Sequence, residues 1–308
     1  MHPALSVIFF TTMSGAGYGL AFLLSLGFGD PAATSTKIGW FVALALIALG
    51  LLSSTLHLGN PQRAWRAFSQ WRSSWLSREG CLAVITFVPL SILAAMSIFG
   101  DAHSTILGIV AAILCGATVF ATAMIYASLR TVVTWHTALT PLCYLTFALT
   151  SGLLIYRGFF ATAPVSDYDW VAVAGIAMLF VAWFVKYLWA RRNMFAGYGG
   201  STMETATGLG GIGKVRLLER PHAMGNYLTN EMCHRVGRKH ASLLWKVAIL
   251  LGLTAPVILI AIGLGTGPGA LASAFAWIAA ACHLVGIFVE RWLFFATARH
   301  AVSLYYGG

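Results

Sequence analysis

A side chain that can carry a proton or a charge is expensive inside an apolar run, so each one there is a candidate for chemistry. His57, Glu79, His136, His283 and Glu290 stand out in this way, at the ends of long apolar runs or inside them. His57 and Glu79 flank a single connecting segment and therefore emerge at the same end of their runs. Histidine titrates near neutral pH and can supply a proton. A partly buried glutamate can relay one. Between them lie Arg63, Trp71 and Arg72, a mixture of cations and ring faces that can orient and stack a flat ring. Tyr18, in the first apolar run, could contact such a ring or simply pack. A quinone is an apolar ring with two carbonyl oxygens, and its two-electron reduction takes up two protons. Its site needs an apolar slot, a donor for each oxygen and a proton path to water. The residues expected to form one are His57 and Glu79 as proton-transfer groups, with Tyr18, Arg63, Trp71 and Arg72 around the ring. The competing reading of the same segment is an interfacial aromatic belt with a hydrogen-bonded His at a helix end.

Other chemistries are less well supported. Cys81, Cys115, Cys143, Cys233 and Cys282 stand singly, with no C-x-x-C spacing, so no iron–sulfur cluster or zinc site of this chain's own is expected. His57, His136 and His283 fall in one half of their runs, which leaves a bis-His haem as an alternative. Gly208-Leu209-Gly210-Gly211-Ile212-Gly213-Lys214 imitates a nucleotide-binding glycine motif. It lacks the preceding strand and βαβ context, and Val215 stands where a phosphate loop requires Ser or Thr.

The elements that must position these residues are membrane helices. Hydrophobic residues make up 59 % of the chain and charged residues 9 %, against about 25 % charged in soluble domains. A helix needs about 20 apolar residues to cross a bilayer. Continuous runs of that kind cover roughly 5–27, 37–58, 80–99, 104–126, 136–160, 169–190, 243–264 and 270–291. They do not alternate, which excludes a transmembrane barrel. The expected fold is all-α: one polytopic membrane domain, residues 1–308, of eight transmembrane helices with both termini on one side. The N-terminus lacks a basic leader region, so 5–27 is read as a retained first helix. Gly15 and Gly19 form a small-xxx-small pair suited to close helix packing.

Of the 19 Lys and Arg residues, all but Lys37 and Arg157 fall toward the side of the termini, while Asp30, Asp101, Asp167 and Asp169 lie on the other. The positive-inside rule therefore places both termini and the long 191–242 loop in the cytoplasm, in a bacterial inner membrane. The net charge of +10 arises from this asymmetry and is no sign of nucleic acid. A basic face also suits an acidic partner or anionic lipid.

Two connecting segments carry a resemblance. Residues 54–80, with His57-Leu58-Gly59, Arg63-Ala64-Trp65, Phe68 through Trp75 and Ser77-Arg78-Glu79-Gly80, resemble the dimethyl sulfoxide reductase membrane anchor subunit family. So does the first helix, with Phe10-Thr11-Thr12 and Ser14 to Gly19. Glu204 to Met232, with Gly237-Arg238-Lys239-His240-Ala241, resembles the branch of that family serving cytoplasmic sulfite oxidation. The resemblance covers essentially the whole chain. It implies a three-part complex: a catalytic subunit with molybdopterin, a ferredoxin-like subunit with four iron–sulfur clusters, and this anchor. The anchor would exchange electrons with menaquinone or ubiquinone and hold no haem and no metal. The family's His and Glu at the quinone site correspond to His57 and Glu79. The 191–242 loop is expected to dock the iron–sulfur subunit. Sulfite oxidation coupled to quinone reduction is expected, the alternatives being quinol oxidation by an S-oxide reductase, a haem b anchor, a transporter or a purely structural tether.

Overall fold

The computed structural model describes residues 3–55, 60–161, 165–219 and 235–306. It is helical, with α1 Leu5–Ser25, α2 Thr34–Thr55, α3 Trp75–Gly100, α4 Thr105–Ala127, α5 Leu139–Phe160, α6 Val165–Phe195, a short α7 Met203–Thr207, α8 Arg235–Ile249, α9 Ala255–Gly265 and α10 Ala270–Ala296. A π turn, Leu250–Thr254, joins α8 to α9. Among the described residues, eight helical segments are long and apolar enough to cross a membrane, α8 and α9 counting as one span from Lys239 to Gly265. The spans differ from the sequence expectation at their ends. α3 begins at Trp75, so Glu79 lies in its first turns rather than at its start, and α5 begins at Leu139, leaving His136 in the preceding turn.

α1 and α5 form the centre of the bundle. In each, 72 % of the apolar window is buried, against 28 % for α2 and for the α8–α9 span, whose outer faces are left to lipid. Small residues allow this. A Cβ on Gly19 would collide with the Ala148 carbonyl of α5, and one on Gly152 would collide with the Gly19 backbone. On its other side α1 meets α2, where Gly17 lies against Ala43 and Ile47. Backbones this close gain dispersion contacts that larger residues would forbid.

The helix ends near Thr55, Trp75, Ala127, Leu139 and Phe195 share one face of the bundle, the loop face. The α4–α5 connection is tied down there. Val132 pairs with His300 in an antiparallel bridge, Arg192 donates to the Val133 carbonyl at 2.6 Å, and the Trp135 indole donates to the Phe294 carbonyl at 2.9 Å.

Candidate functional site

The connection from α2 to α3 runs as a 3-10 helix, Pro61–Gln70, and enters α3 through Ser74, whose hydroxyl caps the Ser77 amide. Arg78 folds back over this entry. Its guanidinium donates to the Trp71 and Arg72 carbonyls at 3.0 and 2.7 Å and lies over the Trp75 ring at 4.4 Å. One residue later, the other side of the same helical turn points inward, and Glu79 is buried at 6 % exposure. Its Oε1 has no hydrogen-bond partner among the described residues. Burying an unpaired carboxyl is costly, so its retention here marks it as a functional candidate.

Beside it, α3, α4 and α5 leave a groove of about 810 Å³, lined by Trp71, Trp75, Arg78, Cys81, Phe120 and Leu145, among others. Its inner end is Gly116, which also borders a second cavity of about 150 Å³ between α1, α4 and α5. Leu145 is shared by both. That inner cavity ends on Tyr18, 2 % exposed, whose hydroxyl also lacks a partner among the described residues. The Glu79 carboxyl is an electrostatic neighbour of Tyr18 and of Tyr126. The arrangement is an apolar groove with an aromatic, cationic mouth, backed by a smaller cavity that carries the unsatisfied Tyr18 hydroxyl, with the buried Glu79 carboxyl close by but lining neither space. Chemically, it can take a flat apolar ring and hydrogen-bond its oxygens.

The expected residues separate here. Trp71 lines the groove and Tyr18 the cavity behind it, while Glu79 lines neither and is an electrostatic neighbour of Tyr18. Arg63 and Arg72 stand apart: both are exposed on the connection, and Arg72 stacks over Trp71 at 5.4 Å. Arg78, absent from the expected set, lines the groove instead. The reason is periodic, since Arg78 lies on α3 one turn before Leu82. His57 lies outside the described residues, as do Cys233 and Arg220.

Sequence reasoning singled out Glu290 but missed its two cationic partners, Lys186 and Arg291, with which it forms the largest buried charge cluster among the described residues. Lys186 of α6 and Glu290 and Arg291 of α10 are 1 %, 0 % and 2 % exposed. Lys186 pairs with Glu290, and Arg291 Nε lies 3.5 Å from the other Glu290 oxygen. Aromatic faces complete the enclosure: Lys186 Nζ sits 3.5 Å from the Trp189 ring centroid and Arg291 Cζ 3.6 Å from that of Tyr144. The signal was present in the Phe-Val-Lys-Tyr-Leu run, where Lys186 interrupts an apolar span about nine residues before the α6 end.

His283 has a structural partner. Pro256 has no amide hydrogen to give to the carbonyl four residues back, that of Gly252. The helix passes through its π turn there, and the freed Gly252 carbonyl is met by His283 Nδ1 at 2.8 Å and by the Trp183 indole at 3.0 Å. His136 is likewise engaged, its Nδ1 lying 2.7 Å from the Ala127 carbonyl.

Known proteins are similar to this chain in sequence. The family model described as DMSO reductase anchor subunit (DmsC) matches residues 1–296. The chain is also 33 % identical to a sulfite dehydrogenase subunit of Allochromatium vinosum, over 99 % of each chain. This eight-span protein belongs to the DMSO reductase anchor subunit family of membrane anchors.

Proposed function

We propose that this chain is the quinone-reacting anchor of a molybdenum oxidoreductase, with the groove between α3 and α4 as the ring's entry and Glu79 and Tyr18 at its inner end. The observation that carries this reading is the adjacency of the groove to the inner cavity, which share Gly116 and Leu145, with the buried, unpartnered Tyr18 hydroxyl on the inner one. The ring would enter from lipid between helices, stack against Trp71 and Trp75, and present its oxygens to Tyr18 and Glu79. His57 completes the proton-transfer pair in this proposal. Electrons would come from a ferredoxin-like iron–sulfur subunit docked on the loop face, through the basic Arg63–Arg78 stretch and the 191–242 loop, and molybdopterin would reside on a further catalytic subunit. No haem is invoked.

The reaction favoured is sulfite oxidation. Sulfite plus water gives sulfate, two protons and two electrons, and the quinone takes up two electrons and two protons to become quinol. Support comes from the relative named as part of a sulfite dehydrogenase, and from the Lys and Arg asymmetry, which favours a cytoplasmic loop face in a bacterial inner membrane. The family description, DMSO reductase anchor, fits the reverse flow, quinol to S-oxide. Assaying the purified complex with each substrate separates the two.

Gly116 offers the sharpest test of the slot. A Cβ there would meet nothing within 4 Å, so Gly116→Leu sets a bulky side chain at the border of the two spaces with its Cβ unobstructed. The variant complex should accumulate normally and exchange electrons with soluble dyes, but lose quinone-coupled turnover. Normal quinone turnover in that variant would place the ring elsewhere.

A further inference from the structure

Lys186, Glu290 and Arg291 do not sum to zero. Two cations and one carboxylate leave one positive charge fully enclosed by protein, and an uncompensated buried charge costs several kcal/mol. Aromatic faces offset part of that cost. What remains calls for a negative charge nearby, and the structure shows where one could sit. Arg291 and Tyr144 line a small internal cavity, about 20 Å³, together with Thr12, Ser14, Tyr18, Thr122 and others. That is room for about one water. Ser14 satisfies its hydroxyl on the Phe10 carbonyl, but Thr12 and Tyr18 have no partner among the described residues. Their orphaned hydroxyls fit a water bridging toward Arg291. Tyr18 in turn borders the inner cavity proposed above for the ring. Charge cluster and ring pocket are therefore adjacent, separated by one tyrosine and one water-sized space.

Among the described residues, no other titratable group around this cavity supplies the missing charge. Tyr126 and Tyr144 are neutral phenols, Cys143 is buried, and His283 is held by Gly252. Arg157, the remaining buried cation among the described residues, lies toward the opposite end of α5. The only other buried carboxyl among the described residues is Glu79.

We infer that Lys186, Glu290 and Arg291 form a fixed counter-charge for the pocket, one positive charge that makes it bind the anionic, deprotonated form of the reduced ring. This rests on the quinone reading above and deepens it. With an oxidised ring bound, the Glu79 carboxylate balances the cluster. Two electrons and one proton convert the ring to its monoanion, and a second proton from water neutralises Glu79. The negative charge has then moved from carboxylate to ring oxygen, with the sum unchanged. Transfer of the Glu79 proton to that oxygen completes the quinol and restores the carboxylate. The cluster touches neither substrate nor reacting atoms. Its three residues are positioning residues, acting through charge.

The test uses the assembled complex in membranes and two probes, 2-hydroxy-1,4-naphthoquinone, which carries an acidic hydroxyl and binds as an anion, and neutral 1,4-naphthoquinone. One buried unit charge at ~10 Å in a medium of effective permittivity about 20 is worth about tenfold in affinity. Lys186→Met, which removes the excess charge, should weaken the anion about tenfold and leave the neutral probe unchanged. Lys186→Met with Glu290→Gln restores one net positive charge and should restore anion binding. In the wild type the preference for the anion should persist at ~1 M salt, where the Debye length of about 3 Å screens the surface arginines but not a buried cluster. That measurement stands even where a variant fails to assemble. A preference that disappears with salt, or anion affinity that ignores the net charge of the variants, would overturn the inference while leaving the slot intact. Failure of both probes to bind the wild type would overturn the slot as well.

Discussion

At the scale of single residues, the decisive feature is which polar groups are left without partners. Several buried hydroxyls in this bundle are satisfied by a carbonyl one turn back, as Thr122 is by Thr118 and Ser151 by Phe147. Glu79 Oε1 and the Tyr18 hydroxyl are not, among the described residues, and a buried group left unmade in this way costs about 1–3 kcal/mol. We expect Glu79→Gln to cut quinone-coupled turnover by ~10²–10⁴, the usual loss for a proton-transfer group, with dye-coupled activity retained. Tyr18→Phe should cost about tenfold, the worth of one hydrogen bond in the transition state. Steady-state turnover with a soluble quinone and with a dye, on the same preparation, checks both. Equal losses in the two assays would mean that the substitutions damage the assembly and not the site.

Elements are set by where backbones can approach and where a donor is missing. Gly19 and Gly116 make the contrast. Both are helical glycines, yet Gly19 is pressed on the α5 backbone and Gly116 faces open space. Gly19→Leu should therefore destabilise the bundle by about 3 kcal/mol or more, seen as a lower melting temperature in detergent, whereas Gly116→Leu should leave melting unchanged or raise it slightly, since Leu favours helix over Gly. The loop after α6 has its own device. Thr202 and Thr205 form a capping box at the start of α7. The Glu204 carboxylate accepts from the Val215 amide at 3.1 Å. Backbone and Thr202 hydrogen bonds hold its carboxyl below the ordinary carboxylate range. A depressed folded value means the ordering it provides is present above the unfolded value and is lost as pH falls through the folded one. Hydrogen exchange of the Val215 amide should accordingly speed up, relative to its intrinsic rate, once pH falls below the ordinary carboxylate range, and Glu204→Ala, which removes the acceptor, should give the fast rate at neutral pH as well.

For the whole molecule, the asymmetry of charge and the position of the groove point the same way. The groove opens near the loop face, where Arg63, Arg66, Arg72, Arg78 and the C-terminal end of α6 lie, and the Lys37–Asp101 pair sits at the opposite one. Reporters fused after Gly308 and inserted near Gly211 should both read as cytoplasmic, and a periplasmic signal at either would reverse the proposed orientation. Charge reversal at Arg216 together with Arg220 should release the soluble subunits from membranes, measured as their loss from the pelleted fraction. Full retention would move docking away from this loop.

How much of this was legible without coordinates follows from the length scale of each property. Eight spans, their order and the basic side are sums over twenty-residue windows, so hydropathy and Lys/Arg counts carry them directly. Glu79 was legible too, because a carboxyl beside an apolar run is anomalous by itself. Its neighbours were only partly so. Arg63, Arg72 and Arg78 look alike in the sequence, and only the turn at Ser74 decides that Arg78 faces the groove while the other two face outward. The π turn was hidden in a single Pro256, whose missing donor matters only because Trp183 and His283 stand opposite Gly252. Lys186 and Arg291 gain their meaning from Glu290 across an interhelical contact about a hundred residues away from Lys186 in the chain. Apolar patterning fixes which residues enter the bilayer, because that is a property of each segment and its solvent. Which buried charges meet, and whether their sum is balanced, depends on how segments distant in sequence pack, and in this bundle the close approach of α1 to α5 and the reach of the Lys186 side chain from α6 to Glu290 of α10 decided it.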